Sequence, residues 1–145
     1  MPVSNDYRDF VLEQLAAVRK TVKETKKKFA VMYSERLEVR AAVHAGDLVR
    51  QGTIGKVIQT INLGPHRMNI PSRPEWFFDK ARYGGILTDI GSHQADQFLF
   101  YTNSTTAKVV ASQTGNLLYP QYPKFEDFGD MLVTAGMRNV FGDEP

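Results

Sequence analysis

The sequence predicts a mixed α/β fold, and three observations carry that prediction. Apolar residues recur at helical spacing in residues 5–25, 38–51 and 84–101. Short β-branched or apolar runs stand between and after them, at 28–34, 56–63 and 107–113. The resulting order is helix, strand, helix, strand, long loop, helix, strand, with no internal repeat.

The first helix places Tyr7, Phe10, Val11, Leu15, Val18 and Val22 on one face, and Asn5 or Asp6 stands where a cap belongs. Its other face carries Arg19, Lys20, Lys23, Lys26 and Lys27 with no aromatic residue between them, which is the pattern of a solvated surface. Residues 28–34 (Lys-Phe-Ala-Val-Met-Tyr-Ser) form an apolar run bounded by charge, suited to a buried strand. Val39, Ala42, Val43, Gly46 and Val49 return to helical spacing, with Gly52 as the C-terminal cap and His44 on the outer flank as a surface histidine. Residues 56–63 (Lys-Val-Ile-Gln-Thr-Ile-Asn-Leu) are β-branched and alternate in part, which predicts a strand. Residues 64–78 form a loop with three prolines and the single tryptophan, and loops of that length tend to carry function. Residues 107–113 predict another strand, and residues 126–140 fit helix or strand equally.

Composition excludes several function classes. The chain has 145 residues, enough for one ordinary domain or two partial ones. A net charge of +2 is too mild to imply a nucleic-acid partner. There is no cysteine, hence neither a disulfide framework nor a thiolate metal site, which suits a reducing compartment. The first residues lack a basic-then-apolar leader, and no apolar run approaches the ~18–20 residues of a membrane span. A cytoplasmic protein with no membrane partner is the expectation.

The chemistry concentrates in Gly84-Gly85-Ile86-Leu87-Thr88-Asp89-Ile90-Gly91-Ser92-His93-Gln94-Ala95-Asp96. A helix over 84–101 puts Asp89, His93 and Asp96 at i, i+4 and i+7, one stripe on an otherwise apolar and therefore buried helix. Such a stripe either pairs internally or moves protons and holds a polar ligand. In the loop, Trp76 offers an aromatic face for a sugar ring, and His66 and Arg67 offer cationic groups for a carboxylate or hydroxyls. Asp89, His93, Asp96 and His66 also offer oxygen and nitrogen donors, but no spacing demands a metal and none is expected. A glycine-rich phosphate loop after an early strand is absent, as is a Gly-x-Ser-x-Gly elbow.

Three stretches taken together resemble the glucose–fructose oxidoreductase/inositol dehydrogenase (Gfo/Idh/MocA) family. They are Tyr33-Ser34-Glu35-Arg36, the turn Gly52-Thr53-Ile54-Gly55-Lys56-Val57, and the motif from Gly84 to Asp96. The similarity runs over about residues 5–115. It implies a mostly antiparallel, open-faced sheet with helices on one side, preceded by a helix–strand–helix remnant of a Rossmann domain. The domains it implies are residues 1–54, the end of a dinucleotide-binding domain, and residues 55–145, a substrate and oligomerisation domain incomplete at its end. It further implies His93 as general acid/base with Asp89 orienting it or binding hydroxyls, Asp96 in a supporting role in substrate binding, and Tyr33 facing the cofactor. NAD or NADP and a sugar, cyclitol or other polyol are the implied cofactor and substrate. Homo-oligomers through the open sheet face are the implied assembly. The family's nucleotide loop and its Glu-Lys-Pro motif belong upstream of this sequence, so the chain reads as a fragment inactive by itself. The other reading of the same residues is a non-catalytic dimerisation or ligand-binding module.

Overall fold

The fold is given by a computed structural model that describes residues 16–135. The chain divides into two compact units between Met32 and Tyr33. In the first, residues 16–25 are helical (α1), as the apolar period predicts, and its predicted caps Asn5 and Asp6 lie outside the described residues.

The second unit holds five α-helices, two 3-10 turns (Ile70–Ser72 and Glu75–Phe78) and a two-stranded sheet among the described residues: α2 (Ser34–Leu37), α3 (Arg40–Arg50), α4 (Lys80–Tyr83), α5 (Ile86–Asp89), α6 (Gly91–Thr102), β1 (Ala107–Gly115) and β2 (Phe128–Ala135). The mixed α/β class predicted from periodicity is the class that forms. Helix α3 ends as its sequence dictates: Gly52 has φ +71° and donates to the Val49 carbonyl at 3.0 Å, and Thr53 donates to Leu48 at 3.0 Å. This pair of bonds satisfies two terminal carbonyls at a position only glycine adopts freely. His44 is exposed on this helix, as predicted.

β1 and β2 are antiparallel, with Lys108 opposite Thr134, Ala111 opposite Leu132 and Gly115 opposite Phe128, and a bulge between Val109 and Ala111. Residues 126–140, ambiguous in sequence, resolve to strand over Phe128–Ala135, and residues 136–140 lie outside the described residues. One face of the hairpin receives α5 and α6, while Leu132 (61% exposed) and Phe128 lie on the other. Alternation along β2 thus separates a covered from an open face.

Two predicted strands do not form. Residues 26–33 and 55–69 carry no regular secondary structure. In the second stretch Ile58, Ile61 and Leu63 are 82–91% exposed. Their β propensity reflects packing against neighbouring strands, and without a ladder partner among the described residues it has nothing to act on. The helix predicted over 84–101 is also broken. Gly84 and Gly85 have φ +89° and +85° and stand before α5, and Ile90 separates α5 from α6. Nor is α6 buried: every residue in it is half-buried, with β2 against part of its surface and α2 and α3 against another part.

The core is aromatic and draws on segments distant in sequence. Phe77 and Phe125 are its buried members, 7% and 3% exposed, with ring centroids 5.8 Å apart. Tyr83 lies 5.0 Å from Phe77 and 5.7 Å from Phe125, and Phe78 stacks on Tyr122 at 4.0 Å. The Tyr83 hydroxyl donates to the Glu126 carbonyl at 3.1 Å and accepts from the Glu126 amide at 3.2 Å.

Burial pushes the Tyr83 phenol up to about 12. The unfolded chain therefore loses this proton first, and stability falls as pH rises from about 10 through 12. Tyr83→Phe should lower stability by about 1 kcal/mol at pH 7 and flatten that alkaline decline. Urea denaturation at a series of pH values measures both.

Candidate active site

The polar residues of the 84–96 motif meet the Tyr33–Arg36 turn. The Tyr33 carbonyl accepts from the amides of Arg36 (3.2 Å) and Leu37 (3.1 Å), which starts α2 and points its side chains at α6. The Arg36 guanidinium forks onto Asp96: Nε donates to Oδ2, and Nη2 donates to Oδ1 at 3.2 Å. Both side chains are largely covered, and the guanidinium carbon also lies 5.1 Å from the Phe100 ring centroid. Hydrogen bonding to Asp96 raises the Arg36 pKa above its usual value, outweighing desolvation. Asp96 is therefore committed to a bidentate structural pair.

Beyond that pair lies a second polar group. Gln94 Nε2 donates to Glu35 Oε2 at 3.5 Å, and His66 Nε2 stands 3.7 Å from Glu35 Oε1. The other His66 nitrogen is 3.0 Å from the Gly64 carbonyl. The Gly64 backbone lies close to α6: a Cβ there would stand 2.5 Å from Gln94 Nε2 and 3.0 Å from Ile90 Cγ2. His66 is thereby drawn to the helix that carries His93.

His93 itself is held differently. Its amide donates to the Ile90 carbonyl at 3.1 Å, and its ring meets Tyr33 edge-on with centroids 5.8 Å apart and planes at 87°. Its Nδ1 is buried and has no hydrogen-bond partner among the described residues. An unsatisfied buried nitrogen is uncommon and calls for a reason. Asp89 makes no hydrogen bond to His93; it is half-buried at the end of α5, where its charge acts on Tyr83.

The remaining predicted residues separate. Trp76 is 44% exposed and meets Phe77 edge-on in the aromatic core, while Arg67 is exposed in the loop. Glu35, Arg36 and Gln94 were not singled out by sequence reasoning. Their signal lay in the charged turn after Tyr33 and in the polar residue next to His93. Among the described residues, no group of three or more His, Asp or Glu side chains could hold a metal ion.

Residues 42–138 match the model of the GFO/IDH/MocA C-terminal domain. The chain belongs to the GFO/IDH/MocA family. A crystal structure of an Erwinia carotovora atroseptica protein classed as an oxidoreductase is similar to it at 54% identity and a TM-score of 0.78. The alignment covers 86% of this chain and 37% of that protein, so the chain spans well under half of the relative's length. None of the curated proteins matches the sequence. The family match takes in most of α3, the loop with His66 and Trp76, the whole 84–96 motif and the hairpin, and leaves Tyr33, Glu35 and Arg36 before its start. This GFO/IDH/MocA domain is one of an oxidoreductase family. Among its described residues, no helix is long and apolar enough to cross a membrane.

The geometry separates two kinds of polar residue by their effect on stability. Arg36→Leu should destabilise the fold by about 1.5–3 kcal/mol, since it strands the covered Asp96 carboxylate. His93→Gln should stay within about 0.5–1 kcal/mol of wild type, because no bond of the ring is lost. Chemical denaturation of the two variants side by side tests the contrast.

Proposed function

We propose that the chain is the substrate-side portion of an NAD(P)-dependent oxidoreductase acting on a sugar, cyclitol or related polyol, with His93 managing the hydroxyl proton. The observation that carries this reading is the buried, unpartnered Nδ1 of His93 on the helix of the family-matched motif. A buried ring nitrogen with no hydrogen-bond partner among the described residues can take one from a ligand hydroxyl once the site opens to admit it, as general acid/base transfer requires. The nicotinamide, when bound, supplies the hydride acceptor or donor at its ring carbon. The chain's own residues then divide the remaining work. His93 holds or gives up the hydroxyl proton, and Tyr33, edge-on to its ring, fixes the imidazole plane and fits the side facing a cofactor. Asp89, free of hydrogen bonds to the described side chains, fits a second hydroxyl contact, and His66 fits a third through the loop held on Glu35. Asp96 contributes through Arg36 by holding α6 in place. Arg67 and Trp76, exposed in the same loop segment, are assigned to the outer substrate surface.

In this reading residues 1–54 are the end of the dinucleotide-binding domain and 55–145 the substrate domain. The dinucleotide phosphates need a glycine-rich loop after a strand, and these 145 residues contain no such sequence. The isolated chain should therefore show no saturable binding of NADH or NADPH up to millimolar concentration by fluorescence titration. Micromolar binding would overturn the split-site reading. In a polypeptide that joins the chain to its nucleotide-binding half, His93→Gln should lower kcat by about 10²–10⁴ with a smaller change in KM. Unchanged kcat would remove His93 from the chemistry.

A second reading, a non-catalytic dimerisation module, is favoured by the open face of the hairpin. Leu132 and Phe128 are exposed there, and Ala111, opposite Leu132 in the register, shares that face. Self-association through this face is compatible with either function. Leu132→Lys should shift the chain towards monomer in sedimentation velocity, and a wild type that stays monomeric at high concentration would count against the interface.

A further inference from the structure

The Gly84-Gly85 pair and Glu126 take no part in the chemistry proposed above, yet they meet at one point. Glu126 is 8% exposed, and its carboxylate accepts from Lys80 Nζ, from Thr114 Oγ1 at 2.6 Å and from the Ile86 amide at 3.2 Å. Gly85 makes room for it. A Cβ on Gly85 would stand 2.5 Å from Glu126 Oε2, and φ +85° is a conformation that L residues with side chains rarely adopt.

From that contact a continuous set of backbone bonds leads to the histidine. The Gly85 carbonyl accepts from Thr88 (3.1 Å) and Asp89 (3.0 Å), the Ile86 carbonyl from Ile90 (2.9 Å), and the Ile90 carbonyl from His93 (3.1 Å). The short helix α5 is also pressed onto bare backbone: a Cβ on Gly129 would stand 2.6 Å from Ile86 Cγ2 and 3.0 Å from Leu87 Cδ2. With one side seated on β2, the start of α5 is left to be set by whatever holds the Ile86 amide.

We infer that Glu126 is a positioning residue for Asp89 and His93, its carboxylate fixing the start of the turn from which both project. This assignment rests on the reading of His93 as the proton-handling residue. The Glu126 carboxylate bonds Lys80, Thr114 and the Ile86 amide rather than the His93 ring, and acts through the Gly85–Ile90 backbone. No sequence spacing points to it, since it lies 33 residues after His93.

The test is NMR of the folded chain, following the His93 ring resonances and amide exchange at Asp89 and Ile90. Glu126→Ala should displace the ring resonances and speed exchange at both amides about tenfold, the equivalent of one lost hydrogen bond. Glu126→Gln keeps an acceptor oxygen for the Ile86 amide and should return the ring resonances towards wild type. Asn116→Ala removes a side chain that bonds the Tyr119 and Tyr122 carbonyls in the hairpin loop, and so lowers stability without touching α5. It should leave His93 unmoved. Ring resonances that superimpose on wild type in Glu126→Ala, or that move equally in Asn116→Ala, overturn the assignment. Should Glu126→Ala fail to fold, Glu126→Asp, shorter by one methylene, carries the same comparison. None of these signals involves dinucleotide or substrate. A failed His93→Gln turnover test would therefore leave the positioning result intact, and unmoved resonances would leave the oxidoreductase reading standing.

Discussion

A buried carboxylate is tolerated only when several donors converge on it, and Glu126 is where this fold meets that constraint. Its partners come from three places: α4, through Lys80 on the carboxylate and Tyr83 on the Glu126 backbone, the first amide of α5, and the β1 strand through Thr114. Two strands and a set of one-turn helices have little apolar area of their own to hold them together. The polar junction and the adjoining Phe77–Phe125–Tyr83 cluster supply what the small sheet cannot.

A second seam governs the site. Arg36 and Asp96 join α2 to α6 with a planar, two-bond contact, and the Tyr101 hydroxyl adds a bond to the Ala42 carbonyl of α3 at 3.1 Å. Gly46 lets the Phe100 ring lie directly on the α3 backbone. These contacts place Tyr33 against His93, whose Nδ1 has no hydrogen-bond partner among the described residues. Stability and availability are thus divided between neighbouring residues of one helix, Asp96 spent on structure and His93 left open. The same division explains why the three ionisable groups of the motif do not act as one stripe.

Much of the helical part was legible in the sequence, because a helix satisfies its own backbone. Periodicity located α3, and Gly52 located its end down to the capping bonds. The strands were legible only where the chain supplies both partners: residues 107–113 found theirs in Phe128–Ala135, whereas 56–63, with equally good strand composition, found none among the described residues. The motif around His93 was visible as a pattern, but its continuous helix was not real. Two glycines at positive φ keep the first residues out of the helix, and Ile90 interrupts it between Asp89 and His93.

By itself, then, the sequence determined the α/β class, the span and end of α3, the family membership carried by the 84–96 motif together with the Tyr33–Arg36 and Gly52–Val57 stretches, and the candidacy of His93. These rest on local periods, caps and residue order, which the chain expresses without reference to distant segments. Tertiary structure alone decided that Asp96 belongs to Arg36, that His66 is drawn to Glu35, and that Glu126 anchors the turn before Asp89. Those pairings join residues 31 to 60 positions apart, and no local rule specifies which charge will be buried beside which donor.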